Sequence, residues 1–114
     1  MADAFDVLLK VARTRRDAAA QAMNLAQQRL AQVRADIVRL EAIERGTRST
    51  DDTVFATGTF LLQVGRRKRQ LLDEIPGLER RADAAKHEVL EAFGECKRLE
   101  VLMDRQARRL KELG

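Results

Sequence analysis

The sequence predicts an all-α fold, a long antiparallel two-helix coiled-coil hairpin that occupies all 114 residues as a single domain. Apolar residues recur at alternating spacings of three and four through two long segments, which is the period of a supercoiled helical seam. Ala, Leu, Arg, Glu and Gln dominate the composition, as they do in long helices. One Pro and six Gly leave little turn material for an all-β domain.

The first predicted helix covers residues 4–45, with Asp3 as a candidate N-terminal cap. Ten of its twelve seam positions are apolar, well above the 45% of the whole chain. A partner helix must therefore cover this face, because an apolar stripe gains its stability from packing. The twelve seam positions are Phe5, Leu9, Ala12, Arg16, Ala19, Met23, Ala26, Leu30, Val33, Ile37, Leu40 and Glu44.

A predicted loop over residues 46–51 separates the two seams. Gly46 follows a basic residue, which is typical of a helix C-terminus. Ser49, Thr50 or Asp51 can cap the next helix. About six residues suit a connection between antiparallel helices.

The second predicted helix is longer and covers residues 52–113. Fifteen of its eighteen seam positions are apolar. The length of this seam is the strongest indication of a coiled coil in the chain. Its positions are Val54, Thr57, Leu61, Val64, Lys68, Leu71, Ile75, Leu78, Ala82, Ala85, Val89, Ala92, Cys96, Leu99, Met103, Gln106, Leu110 and Leu113.

Pro76 and Gly77 interrupt the helical pattern of the second segment. Proline lacks a backbone donor and clashes with the preceding turn, so the pair can mark a kink or a second reversal that would give a three-helix bundle. The seam keeps its phase across the pair, from Leu71 through Ile75 to Leu78. A reversal has no need to preserve that phase, so the pattern favours a kink.

The unequal helix lengths predict an unpaired C-terminal tail. Folding back at the loop places Phe5 near Ala92 and Leu40 near Thr57, so residues 93–113 project about 30 Å beyond the first helix. The tail is apolar along one face, which predicts docking into a partner protein. Packing on a second copy of the chain and simple fraying are the alternatives.

Charge and chemistry indicate a non-catalytic protein of the cytosol. The net charge is +4, but 22 basic and 18 acidic residues are interspersed. The sequence has no phosphate-binding loop, nucleophile motif or metal-ligand cluster, so we expect no cofactor and no small-molecule substrate. His87 lies four residues from both Asp83 and Glu91, at outward positions typical of a solvated face. Cys96 lies on the seam, where a buried thiol is expected.

The sharpest charge feature is the basic patch Arg66, Arg67, Lys68 and Arg69. Four cations in one turn repel one another unless an anion or an acidic partner is near. An acidic protein, nucleic acid and ordinary solvation are the three interpretations, and the absence of Trp and Tyr disfavours nucleic acid.

Apolar residues also lie off the seam near the loop. Phe55, Phe60 and Leu62 form either a second contact patch or local packing over the loop.

The chain resembles the FliJ family of flagellar type III export proteins and their YscO-like relatives in virulence secretion systems. The likeness lies in the apolar-basic start from Phe5 to Arg13, the Ala/Gln/Arg-rich first helix, and the Arg-rich end from Met103 to Lys111. It covers nearly the whole chain and is one of pattern and length. The Pro76-Gly77 step departs from a straight stalk.

The resemblance implies a central stalk that performs no chemistry. Its partners would be the hexameric export ATPase, the export gate protein and export chaperones, at the cytoplasmic face of the inner membrane and peripheral to it only through those partners. Gate contacts are expected at Phe60, Val64 and Arg67. The alternatives are a basic coiled-coil nucleic-acid-binding protein and a self-associating structural protein, including a homodimer in isolation. The expected contacts with the ATPase ring are Phe93, Leu99, Leu102, Met103, Arg105, Arg109 and Leu110.

Overall fold

The computed structural model describes residues 4–48 and 54–114. They form two α-helices, α1 (Ala4–Arg48) and α2 (Val54–Leu113). With 60 residues against 45, α2 is the longer helix. The predicted fold class, an antiparallel two-helix coiled-coil hairpin, is confirmed.

The helix ends near the loop differ from the sequence expectation. Helix α1 runs three residues beyond the predicted end at residue 45, so Gly46 is helical and does not terminate it. A glycine costs about 1 kcal/mol in a helix interior, which is too little to end a helix whose seam is packed nearby. The rest of the predicted loop, with the candidate caps Ser49, Thr50 and Asp51, lies outside the described residues, as does Asp3.

Helix α2 passes through Pro76 without interruption. The alternative of a second reversal at this point is therefore wrong, and a kink stays a prediction. The packing on either side explains why the helix continues. Leu78 is buried and Ile75 is partly buried against the same apolar cluster, which offsets the backbone hydrogen bond that the proline cannot donate.

Residues 26–81 form one of two compact units, called here the loop unit. It pairs the second half of α1 with the first part of α2, as the contacts of Arg34 with Glu79 and of Glu44 with Lys68 show. Large branched side chains fill the interior, and burial of each contributes about 1.5–3 kcal/mol. The buried cluster consists of Leu30, Val33, Ile37, Leu71 and Leu78, with Leu40 and Ile75 packed against it.

Residues 1–25 and 82–114 form the other unit, called here the terminal unit. It pairs the start of α1 with the end of α2, as the contacts of Arg13 with Glu100 and of Arg15 with Glu95 show. Most of its buried residues are small, so its seam removes less apolar surface from water. The buried residues of this unit are Leu9, Ala12, Ala19, Ala85, Ala92 and Cys96.

The predicted pairing register is wrong. It placed Leu40 near Thr57, whereas Glu44, one turn further along α1, contacts Lys68. Every observed cross-helix pair lies closer to the end of α2 than predicted. The predicted register was derived from the length of a tight loop. The two charged seam residues Glu44 and Lys68 meet only when α2 is displaced along α1.

The displaced register also removes most of the predicted tail. Arg13 reaches Glu100, and Phe5 lines a groove together with Leu102 and Gln106, so the first turns of α1 cover α2 well beyond Ala92. The expected 20-residue projection from residue 93 onward is therefore wrong. Partly buried residues occur as far as Gln106, and every residue from 107 to 114 is exposed.

Candidate protein-binding surfaces

Two arginines cross the seam of the terminal unit to glutamates. The Arg13 Nη2 atom lies 3.5 Å from Glu100 Oε1, and Arg15 Nη1 lies 3.3 Å from Glu95 Oε2. All four side chains are at least 40% exposed, so each pair contributes no more than about 1 kcal/mol. These pairs favour the register without greatly stabilising the unit.

Arg16, the one charged seam position near the start of α1, lies beside an aromatic ring. Its guanidinium carbon is 5.6 Å from the centre of the Phe93 ring, and its Nε atom donates a hydrogen bond to Asp17 Oδ1 at 3.2 Å. A cation over a ring at a partly exposed site contributes about 0.5–1 kcal/mol. Half of the Phe93 surface stays open to solvent.

The residues expected to contact an ATPase ring fall into two groups. Leu99 and Met103 are partly buried by their own chain. The others are exposed, and Leu110, at 66%, is the most exposed of the apolar ones. Arg105 and Arg109 line a shallow groove of about 600 Å³ together with Phe5 and Leu102. The exposed members of the predicted set are Phe93, Leu102, Arg105, Arg109 and Leu110.

A second apolar face of α1 was missed by the sequence reasoning. Val7, Leu8 and Val11 are each slightly more than half exposed although the seam beside them is closed. Their spacing of one, three and four residues places them on one side of the helix. The signal was available in the sequence, because these apolar residues lie off the seam positions Phe5 and Leu9.

The loop unit holds a partly buried ion pair between two seam positions. Lys68 Nζ lies 3.2 Å from Glu44 Oε1 and donates a hydrogen bond to Glu44 Oε2 at 3.4 Å. The Oε1 atom is itself buried and accepts no hydrogen bond of good geometry. The Glu44 side chain is 13% exposed and the Lys68 side chain 28%. Removal of either partner therefore leaves the other charge poorly solvated.

This ion pair divides the basic patch. Lys68 points into the seam, while Arg66, Arg67 and Arg69 remain exposed. Within the described ranges, no carboxylate lies within ion-pair distance of these three arginines. The patch is therefore three available cations rather than four.

The residues expected to contact an export gate are not equally accessible. Val64 is only 6% exposed and belongs to the seam, whereas Phe60 is 43% exposed and Arg67 is exposed. Leu62, the off-seam residue near the loop, is 63% exposed, and most of the loop over which it could pack lies outside the described residues. The side chain of Phe55 lies outside the described part of the structure.

The candidate metal ligands and the single cysteine occupy ordinary helical positions. Asp83, His87 and Glu91 are exposed, and the described residues contain no group of three His, Cys, Asp or Glu side chains that could hold a metal ion. Cys96 is buried with a free thiol, as its seam position predicted. Neither described helix has a stretch apolar enough for its length to cross a bilayer.

Comparison of the chain with protein-family models, with curated proteins and with solved structures gives no significant match.

Proposed function

We propose that the protein is a non-catalytic interaction protein, the central stalk of a flagellar or virulence type III export ATPase complex. The terminal unit enters the ATPase ring, and exposed residues near the loop, Phe60 and Arg67, contact the export gate or its chaperones. The observation that carries this proposal is the surface of the terminal unit. Large apolar side chains stay half exposed on both helices, at Val7, Leu8 and Val11 and at Phe93 and Leu102.

The docking element in this proposal is a helix pair rather than a single tail. Leu99 and Met103 are already partly buried, and Phe5 of α1 lines a groove with Leu102, so the surface left for a ring is the outside of both helices. Arg105 and Arg109 border the apolar residues on α2 and suit acidic groups on the partner. The family resemblance assigns the C-terminal part of α2, from Phe93 to Leu113, to the ring.

A stalk of this kind acts by differential binding. Hydrolysis in the ring changes which subunits hold the stalk tightly, and the stalk in turn favours particular ring states, because coupling between binding sites is reciprocal. The thin alanine-rich seam of the terminal unit fits this role, since contacts with the ring add stability that the unit lacks alone.

The test is stimulation of the export ATPase encoded in the same genome. In the double variant Leu8→Gln with Val11→Gln, two half-exposed apolar side chains are lost, and burial of each contributes about 1 kcal/mol. Stimulation of the ATPase should therefore require at least about tenfold more of the variant protein. The matched control replaces Val38 and Ile43, two exposed apolar residues of α1 in the loop unit, with Gln.

We expect ATPase stimulation to be lost with the Leu8 and Val11 variant and to change little with the control variant. Equal effects of the two variants, or stimulation that neither alters, would contradict docking through the terminal unit. Sedimentation of the isolated chain belongs in the same experiment. If the terminal substitutions only dissociate a homodimer without affecting ATPase activity, the surface is a self-association site.

A further inference from the structure

A groove near the loop end of α2 is the strongest unassigned feature of the molecule. It has a volume of about 760 Å³, and the Glu44–Lys68 ion pair lies along it. Its apolar wall includes Leu62 and Leu72, which are 63% and 47% exposed. Phe60 and Arg67, the gate contacts proposed above, do not line it.

Two glycines lie in this groove, and the chain's own fold does not require them. Gly58 and Gly65 are seven residues apart, so they share one helix face with Leu72, seven residues further. A Cβ atom added at either position meets nothing within 4 Å, and neither glycine has positive φ. Each costs the helix about 1 kcal/mol relative to alanine, and within the described structure nothing occupies the space that they leave.

The rim of the groove carries positive charge that the described chain does not neutralise. Arg66 and Arg69 line the groove, are exposed, and form no ion pair with any described carboxylate. Elsewhere in the loop unit, Arg29 pairs with Glu74 and Arg34 pairs with Glu79 across the two helices. The groove therefore combines exposed leucines, open backbone and two available cations.

We propose that this groove binds an acidic amphipathic helix of a partner protein. The leucines supply an apolar strip, the glycines let a second helix approach the α2 backbone closely, and the arginines pair with carboxylates along the flank of that helix. The proposal goes beyond the stalk function and does not depend on it. Nucleic acid would use the arginines but would leave the leucines and glycines without a role.

The probes are two labelled synthetic peptides of about six helical turns each. One carries Leu on its apolar stripe and Glu on both flanks, and the other carries Lys in place of every Glu. Fluorescence anisotropy with the full chain should show a Kd of about 10–100 µM for the Glu peptide and at least about tenfold weaker binding of the Lys peptide. Added salt should weaken the binding of the Glu peptide.

Filling the groove should abolish binding without unfolding the protein. In the double variant Gly58→Leu with Gly65→Leu, the new side chains enter open space and improve helix propensity, so the thermal midpoint should not fall. Affinity for the Glu peptide should drop at least about tenfold. Gly94→Leu, the same change at another open position of α2, is the control and should leave affinity unchanged.

The charge contribution is tested by Arg66→Gln with Arg69→Gln, which should weaken binding of the Glu peptide and remove most of its salt dependence. The proposal is overturned by equal affinity for the two peptides, by unchanged binding after the groove is filled, or by no binding at peptide concentrations up to about 1 mM. It is also overturned if duplex nucleic acid binds more tightly than the Glu peptide and the filled groove does not alter that affinity.

Discussion

The loop unit and the terminal unit are built from the same two helices but bury different side chains. The loop unit closes over Leu30, Val33, Ile37, Leu71 and Leu78, whereas most buried residues of the terminal unit are alanines. Ten of the fifteen large apolar residues that are exposed among the described ones belong to the terminal unit. The unit with the thinner seam thus carries most of the exposed apolar surface. One heptad pattern therefore yields a unit with a leucine-rich core and a unit with largely exposed apolar residues, according to the size of the residues on the seam.

The largest expected effect comes from the core of the loop unit. Leu71→Ala removes a side chain that is only 1% exposed, and the rigid helices around it cannot collapse fully into the cavity. We expect the free energy of unfolding to fall by about 3–4 kcal/mol, measured by urea denaturation followed by circular dichroism. Leu72→Ala, at the neighbouring exposed position, should cost less than about 1 kcal/mol.

Similar losses of unfolding free energy for Leu71→Ala and Leu72→Ala would contradict the difference between the two units. They would mean that the loop unit does not hold the core that distinguishes it from the terminal unit.

An intermediate effect is expected at the ion pair between Glu44 and Lys68. Glu44→Gln leaves the Lys68 ammonium partly buried without its anion, so the free energy of unfolding should fall by about 1–2 kcal/mol. Lys68→Met should cost a similar amount, and the double variant should lose less than the sum of the two, with a coupling of about 1 kcal/mol.

Burial rather than distance should decide the size of this effect. Arg34 and Glu79 approach to 3.1 Å, closer than Glu44 and Lys68, yet both are more than half exposed. Arg34→Gln should therefore cost no more than about 0.5 kcal/mol. A larger loss at Arg34 than at Glu44 would show that the seam charges are better solvated than their burial indicates.

The sequence predicted the helices and their facing sides because the seam period is a local property of the chain. It could not fix how far one helix is displaced along the other. Displacement by one heptad leaves apolar residues opposite apolar residues, so many registers share the same pattern. Glu44 and Lys68, two seam charges of opposite sign, meet in the observed register, and their pairing was an available signal that the loop-based prediction overlooked.

The candidate surfaces were predictable only in part. Cys96 and Val64 were buried as their seam positions indicated, but Val64 was also expected to contact a partner. The exposed face around Val7, Leu8 and Val11 was missed, although the positions of these apolar residues off the seam indicated that the partner helix does not cover them. The prediction of an unpaired tail was wrong for the same reason as the predicted register. Whether α1 packs against Leu99 depends on how far α2 is displaced along α1.

The smallest effect tests whether the two units open separately. Gly94 lies within α2 in the terminal unit, and a Cβ there meets nothing within 4 Å, so Gly94→Ala should stabilise that unit by about 1 kcal/mol through helix propensity alone. Amide hydrogen exchange of residues near position 94 should then slow about fivefold. The control is Gly77→Ala in the loop unit, where the new Cβ would lie an ordinary 3.9 Å from Arg80 Nη2.

If the terminal unit opens while the loop unit stays folded, Gly77→Ala slows exchange in the loop unit and leaves the amides near residue 94 unchanged. This is the outcome we expect, because the alanine seam buries less apolar surface than the leucine-rich cluster and opens at lower free energy. Equal slowing in both units by either variant would mean that the hairpin opens as one cooperative body. The size of the seam residues would then set the total stability of the hairpin without making one unit open before the other.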